Sequence, residues 1–387
     1  MAGREAPFSA RTAHDSAPNA LYAALEARRR AGKPVTDLTV ANPTDPSLGL
    51  PYDEARILRA LGDPRALRYA PEPLGIESAR AVIGSRVGVP SSRVLLTAST
   101  SEAYAFLFKL LAEPGDEVLV PAPSYPLFDF LTAFEHLRPV PYPLAFDGAW
   151  HIDFAALRAA VGPKTRAILV VSPNNPTGHT LTEEDLEALL DLGLPLICDE
   201  VFESYPLRPS VRPARLQTVT RGLVFSLRGL SKECALPQLK LAWTTVSGDD
   251  ALVHESMRRL ELLGDTYLSV GAPVQHALPE LFAATEVTRN ALRFRLRENV
   301  AAAMAACAGT AVSALPVEAG WYVVLRLPET RTDEAWASAF LDAGIYVHPG
   351  AFFGFARGAY VVLSLLSPPQ EFAPAADALV QTVVRDV

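Results

Sequence analysis

Between Gly75 and Ser247 the chain alternates stretches of helical periodicity with short runs of strand character, and this alternation limits the possible folds more than any other feature. Residues 75–86 and 101–112 have helical spacing, the second stretch stopping at Pro114-Gly115. Residues 182–190 read as a helix opened by Thr180 or Thr182. Residues 93–98, 117–120, 165–171, 194–198, 222–227 and 242–247 are short apolar or β-branched runs and read as strands. Strands alternating with helices form a parallel sheet covered by helices, so the expected class is α/β with a mainly parallel central sheet.

After about Ser269 the pattern changes. A long, charged helical region runs to about Cys307, followed by strand-like stretches at 320–327 and 360–365 around a helix at 333–343. This reads as a smaller α+β unit, and a helix near 20–30 is expected to pack with it. A chain of 387 residues exceeds what one core usually serves. We therefore expect a large domain over 45–270 and a small domain built from 1–44 and 271–387. The 33 prolines point to many turns, and 33–50 and 66–74 read as loops.

Charge and cysteine usage narrow the function. The net charge is -8, and no basic run is longer than Arg28, Arg29 and Arg30, which argues against nucleic acid or an anionic membrane as main partner. Residues 1–20 lack the apolar core of a secretory signal, and no stretch approaches the roughly 18 apolar residues of a membrane helix. Cys198, Cys234 and Cys307 are widely spaced and odd in number. No disulfide framework, zinc site or other metal site is expected, and a cytoplasmic location is the default reading.

Four segments can carry chemistry. Lys232 follows a strand-like run and the turn at Gly229, beside Ser231; alone it would read as a surface charge. Asp199 ends the apolar run 194–198, where a carboxylate is costly without a cationic partner. A protonated pyridinium nitrogen would be such a partner; a helix cap or structural ion pair is the plainer explanation. Ser172-Pro173-Asn174-Asn175-Pro176-Thr177-Gly178 follows the strand ending at Val171. It reads either as a rigid loop presenting Asn175 or as an ordinary turn. Ser99-Thr100-Ser101 lies between a strand and a helix and can cradle a phosphate or simply cap the helix.

Taken together, the 172–178 loop, Asp199-Glu200-Val201-Phe202 and Ser231-Lys232, in this order and at these separations, resemble the class I and II aminotransferases of pyridoxal-phosphate (PLP) fold type I. The resemblance runs from about Asn42 to Ser364. It implies that Lys232 holds PLP as a Schiff base and shuttles the proton, that Asp199 pairs with the pyridine nitrogen, and that Asn175 meets the phenolic oxygen. It further implies phosphate contacts from Ser99, Thr100, Ser101, Ser231 and Lys240, and ring stacking by Tyr125. Tyr69 would reach the neighbouring subunit's phosphate, which makes the expected assembly a homodimer with shared sites. Ala41-Asn42-Pro43 resembles the segment that closes over substrate, and Trp321 a wall of the site. The aromatic loop Phe352-Phe353-Gly354, after His348-Pro349-Gly350, can line the same pocket.

Three positions depart from the family pattern. Lys240 stands where an arginine is usual, which keeps the charge and loses the bidentate fork. Phe202 replaces a common tyrosine and removes one donor to the cofactor's phenolic oxygen. Val362 replaces the arginine that clamps the substrate carboxylate. Arg228, Arg326 and Arg357, in that order, are the candidates to take over. The implied reaction is transfer of an amino group between an amino acid or amine and a keto acid or other carbonyl. A PLP lyase, racemase or carbon–carbon bond-forming enzyme is the alternative on the same fold, and a noncatalytic ligand-binding protein a more distant one.

Overall fold

The computed structural model describes residues 8–13, 19–208 and 210–386. Its largest sheet has eight strands: β1 (Val94–Thr97), β2 (Glu117–Ala122), β3 (Arg138–Phe146), β4 (Trp150–Ile152), β5 (Thr165–Val171), β6 (Leu196–Asp199), β7 (Leu223–Gly229) and β8 (Ala242–Gly248). They lie side by side in the order β1-β8-β7-β6-β5-β2-β3-β4. The five strands from β7 to β3 are mutually parallel. β8 runs against both its neighbours, and β4 against β3. The sheet is therefore mainly parallel, as the alternation predicts.

β3 escapes the sequence pattern because it contains Pro139, Pro141 and Pro143, which normally argue against an inner strand. The register shows why they are tolerated. The Arg138 N–H donates to the Asp116 carbonyl, on the β2 side. With a strand period of two, the nitrogens of residues 139, 141 and 143 face away from β2. β4 pairs only with Leu144, Ala145 and Phe146, so the missing N–H groups leave no ladder bond unmade.

Apolar side chains bury both faces. Phe106, Leu107 and Phe108 of the helix Thr100–Leu111 pack on Leu169, Ile197, Phe225 and Leu227. Leu186 and Leu189 of the helix Glu183–Leu190 cover the other face at Ile168, Val170, Cys198 and Val224. Thr182 caps that helix in a reciprocal capping box with Asp185.

The helical region begins earlier than the sequence pattern suggests. A helix spans Asp250–Tyr267, capped by Asp249, before the helices Ala272–Ala284 and Glu286–Cys307. A four-stranded antiparallel sheet follows, from β9 (Ser313–Ala314), β10 (Tyr322–Leu327), β11 (His348–Pro349) and β12 (Ala359–Ser364), in the order β9-β10-β12-β11. Thr36-Asp37 pairs in parallel with Ile345-Tyr346, and Leu25 of the helix Ala20–Arg30 packs with Leu341 and Tyr346. Among the described residues no helix is long and apolar enough to cross a membrane.

Candidate active site

Strand register brings the sequence motifs to one place. Val171, Asp199 and Leu227 are direct neighbours across β5, β6 and β7. Beyond these carboxyl ends follow the 172–178 loop, Glu200, and the one-turn helix Leu230–Glu233 that carries Lys232. β1 ends at the same edge, because Thr97 and Gly229 both pair with Ala242. That pairing puts Ser99 and Lys240 at the edge as well. Ligand sites in open α/β sheets lie in just this position.

Asp199 is buried, and both its oxygens are engaged. The Tyr104 hydroxyl donates to Oδ2 at 2.8 Å and the Val201 N–H to Oδ1 at 3.1 Å. Burial nevertheless pushes its pKa up to about 6, against the pull of those donors and of Lys232. Lys232 shows the complementary effect: burial lowers its amine to about 8, and the Asp199 charge only partly offsets that. Its Nζ lies 4.8 Å from the centroid of the Trp321 ring and 5.8 Å from that of Phe202. Trp321 is fully buried and packs edge-on against Phe202 and Tyr205. The Tyr205 hydroxyl donates to the Lys232 carbonyl at 2.6 Å and fixes the backbone that carries the amine.

The 172–178 loop is built around Asn174. Its Oδ1 accepts from the Thr177 N–H and hydroxyl, and its Nδ2 donates to Ser124 Oγ, next to Tyr125. Gly178 has φ +72°, and a Cβ there would stand 2.7 Å from the Ala319 carbonyl, so the close approach of the segment leading to Trp321 requires glycine. Asn175 is buried, and its Oδ1 has no partner within the protein.

A family model described as aminotransferase class I and II matches residues 33–378. The chain belongs to the class I and II aminotransferases. Members of this family work with PLP. Among curated relatives, the alanine aminotransferase of Mycobacterium tuberculosis is 29% identical over 259 residues, 64% of this chain and 60% of that protein. The glutamate-pyruvate aminotransferase AlaA of Escherichia coli is 26% identical over 64% of this chain and 63% of its own length. The matched segments thus span less than two thirds of these relatives. Among solved structures, an alanine aminotransferase from Pyrococcus furiosus superimposes with a TM-score of 0.85 at 21% identity, covering 98% of this chain and 100% of that one. A Thermus thermophilus aspartate aminotransferase mutant gives 0.83 at 24% identity, over 98% and 100% of the chains. These likenesses concern the fold.

Within this class I and II fold the remaining expected site residues are placed as follows. Ser99 caps the helix Thr100–Leu111, its Oγ accepting from the Glu102 N–H at 3.1 Å, so Thr100 and Ser101 form the first turn. Lys240 is exposed and has φ +50°. Ser231 is half-buried on the turn that carries Lys232. Tyr125 is 39% exposed, with its ring edge-on to Phe128. Tyr69 is 87% exposed and reaches nothing in its own chain's site. Ala41 and Asn42 are exposed, and Asn42 turns its Oδ1 back to the Thr44 N–H and hydroxyl. The stretch before them is tied to β12, where the Ser364 N–H donates to the Leu38 carbonyl and the Ser364 hydroxyl to the Val40 carbonyl.

Arg228 stands apart from this group. Strand alternation points it to the face of Ser226, opposite Leu227. There it pairs with Glu203 at 2.9 Å and with Glu200 at 3.5 Å. Glu200 also accepts from Ser226 and Gln217. Two carboxylates thus already occupy the guanidinium. Val362 is buried in an apolar cluster with Val324 and Phe353. Arg326 and Arg357 are exposed. Sequence reasoning missed Tyr104, a hydroxyl inside an apolar helix with no motif around it.

Proposed function

We propose that this chain is a PLP-dependent aminotransferase in which Lys232 carries the cofactor. The observation that carries the reading is the pair Lys232 and Asp199. An amine with a lowered pKa and a carboxylate with a raised one sit at the ends of adjacent parallel strands, in a family that works with PLP.

The residues fit such a group. Asn175 is a buried carboxamide whose Nδ2 can donate to an oxygen of the group, Asp199 is a buried carboxylate without an ion pair, and the start of the helix Thr100–Leu111 suits a phosphate. Lys232 would hold the cofactor covalently, Asp199 would meet its ring nitrogen, and Asn175 its phenolic oxygen. Ser99, Thr100, Ser101, Ser231 and Lys240 would hold its phosphate, and Tyr125 would cover its ring. When bound, the cofactor supplies an electron-withdrawing ring that makes a proton on the amine-bearing carbon removable.

The protein's own groups account for the rest. Tyr104 and Val201 fix the orientation of Asp199, so its charge faces the site without reorganising. A Lys232 amine near 8 is partly neutral at physiological pH and can take up and return a proton at Nζ. Trp321 and Phe202 stand beside that atom, their ring centroids 4.8 and 5.8 Å away.

Tyr69 and Leu67, 87% and 89% exposed on one loop, support a homodimer in which Tyr69 serves the neighbouring site. Three free, buried cysteines are consistent with a reducing cytoplasm. Val362 favours a second reading, a different PLP reaction on the same fold, because the usual device for orienting a carboxylate is missing.

Borohydride reduction of the PLP-loaded protein should place a stable label on Lys232, and Lys232→Ala should lose the yellow absorbance and turnover. Full activity in that variant would end the proposal. Conversion to the pyridoxamine form by a panel of amino acids and amines separates transamination from the second reading.

A further inference from the structure

The turn that carries Tyr125 is fastened to the aromatic loop before β12, where the Ser124 N–H donates to the Phe353 carbonyl at 2.8 Å. From Tyr125 a groove of about 1110 Å³ opens between this loop and β3. Aromatic rings make its walls. Phe355 stacks on Tyr360 at 4.6 Å and meets Trp150 edge-on at 5.9 Å, and Phe128 and Phe352 extend the surface. The charged residues along it are Asp129 and Arg357, so Arg357 is its one cation among the described residues.

The inner site is different. Val362 is buried among apolar side chains, and Arg228, on the strand before Lys232, is paired with Glu200 and Glu203. A carboxylate on the reacting carbon would therefore meet an apolar side chain and no guanidinium at the Val362 position, at a desolvation cost. A groove of this size and lining holds a drug-sized apolar body, far more than a methyl group needs.

We propose that this groove binds the body of the substrate, and that the substrate class is an arylalkyl or similarly extended apolar primary amine with its carboxylate at the end remote from the amine, where Arg357 meets it. The inference rests on the aminotransferase reading. In the half-reaction the substrate carbon gives up one C–H proton and its amino group and leaves as an aldehyde whose oxygen comes from water. The amino group and the electron pair stay on the pyridoxamine form until a carbonyl acceptor takes both. Planar guanidinium–carboxylate pairing at an exposed rim adds modest affinity and strong orientation; the rings supply most of the binding.

The test uses the PLP-loaded protein with 4-(2-aminoethyl)benzoate, its uncharged counterpart 2-(4-methylphenyl)ethylamine, and alanine. Single-turnover formation of the pyridoxamine form is followed for each. Binding of unreactive 4-propylbenzoate is measured by calorimetry. The aryl amino acid should exceed alanine in kcat/KM by about 100-fold, and the uncharged amine should fall about tenfold below it. Arg357→Ser should erase that tenfold gap and weaken 4-propylbenzoate about tenfold, leaving the uncharged amine unchanged. Phe352→Ala, a half-exposed position, should weaken both aryl compounds. Alanine outrunning both aryl amines, or 4-propylbenzoate binding equally to wild type and Arg357→Ser, would overturn the inference while leaving the aminotransferase reading intact. Failure of borohydride to label Lys232, with no amine reacting, would overturn both.

Discussion

Tyr104 donates its hydroxyl to Asp199 across 95 residues of sequence, from a helix on one face of the sheet to the end of its central strand. The bond is 2.8 Å long, and it offsets part of the burial that raises the Asp199 pKa to about 6. Removing the donor should raise that pKa further, since hydrogen bonding to an ionised group favours the charged form. Tyr104→Phe keeps the ring packing and deletes only the hydroxyl. A bond to a charged group contributes about 1.5–3 kcal/mol. The expected result is cofactor affinity at least about tenfold weaker at pH 7. The acid limb of kcat/KM should move to higher pH, because the carboxylate then forms only at higher pH. Equilibrium dialysis of PLP and a pH–rate profile check both, and an unmoved acid limb would remove Tyr104 from the site's electrostatics.

Lys232 makes the cofactor-free protein less stable than it need be. Its amine titrates near 8 in the folded chain and at 10.5 when unperturbed. Below 8 both states bind the proton, and the folded state bears the full cost of a desolvated charge. As pH rises from 8 to 10.5 the unfolded chain stays protonated while the folded one has released its proton, so the cost is relieved and stability rises through that window. Lys232→Met, similar in length and uncharged, should therefore melt above the cofactor-free wild type at pH 7, and the difference should shrink toward pH 10.5. The loss of the attraction to Asp199 works against the gain and sets its upper bound. Calorimetric melting of the two cofactor-free proteins at both pH values tests the sign.

Phe202 should tune the cofactor's colour. With a tyrosine in its place, a phenol would donate to the cofactor's phenolic oxygen and favour its ionised form. Wild type lacks that donor, so the visible absorbance band should titrate at higher pH than in Phe202→Tyr, by about one unit for one ordinary hydrogen bond. Phe202 is buried against Trp321, and the added hydroxyl must point toward the site to act. A spectroscopic pH titration of both proteins decides, and equal midpoints would refute the effect.

What could be read in the sequence follows the physics of each element. β5 is legible at both ends because six of the seven residues between Lys164 and Ser172 are β-branched or apolar, Arg166 being the exception. The helix Asp250–Tyr267 is harder to see. Its buried face is thin, carried by Val253, Met257, Leu260 and Gly264, and at Gly264 a side chain would collide with the Pro73 carbonyl. β3 is masked by prolines whose missing N–H groups face an open edge. Lys232 and Asn175 are marked by their places just past strand ends, and Asp199 by closing an apolar strand. Tyr104 has no such mark, since its meeting with Asp199 depends on how a helix rotates over the sheet. Whether Arg228 is occupied likewise depends on Glu200 and Glu203, which the chain brings to it only after β6 and β7 pair.

The sharing of sites between subunits can be tested by complementation. Tyr69 is exposed in its own chain, so Tyr69→Ala should leave the melting temperature of the subunit nearly unchanged. It should nonetheless weaken PLP retention, because the phosphate of the neighbour loses a hydroxyl donor. Lys232→Ala should be inactive for a different reason. A heterodimer of the two variants contains one site with its own Lys232 and the partner subunit's Tyr69, both intact. Mixing the inactive Lys232→Ala protein with Tyr69→Ala under conditions that let subunits exchange should therefore raise activity above the sum of the separate proteins. If Tyr69 acted within its own chain, every site in the mixture would carry one of the two defects and no gain would appear. Turnover of the mixture, measured against the unmixed proteins at equal total concentration, separates the two arrangements.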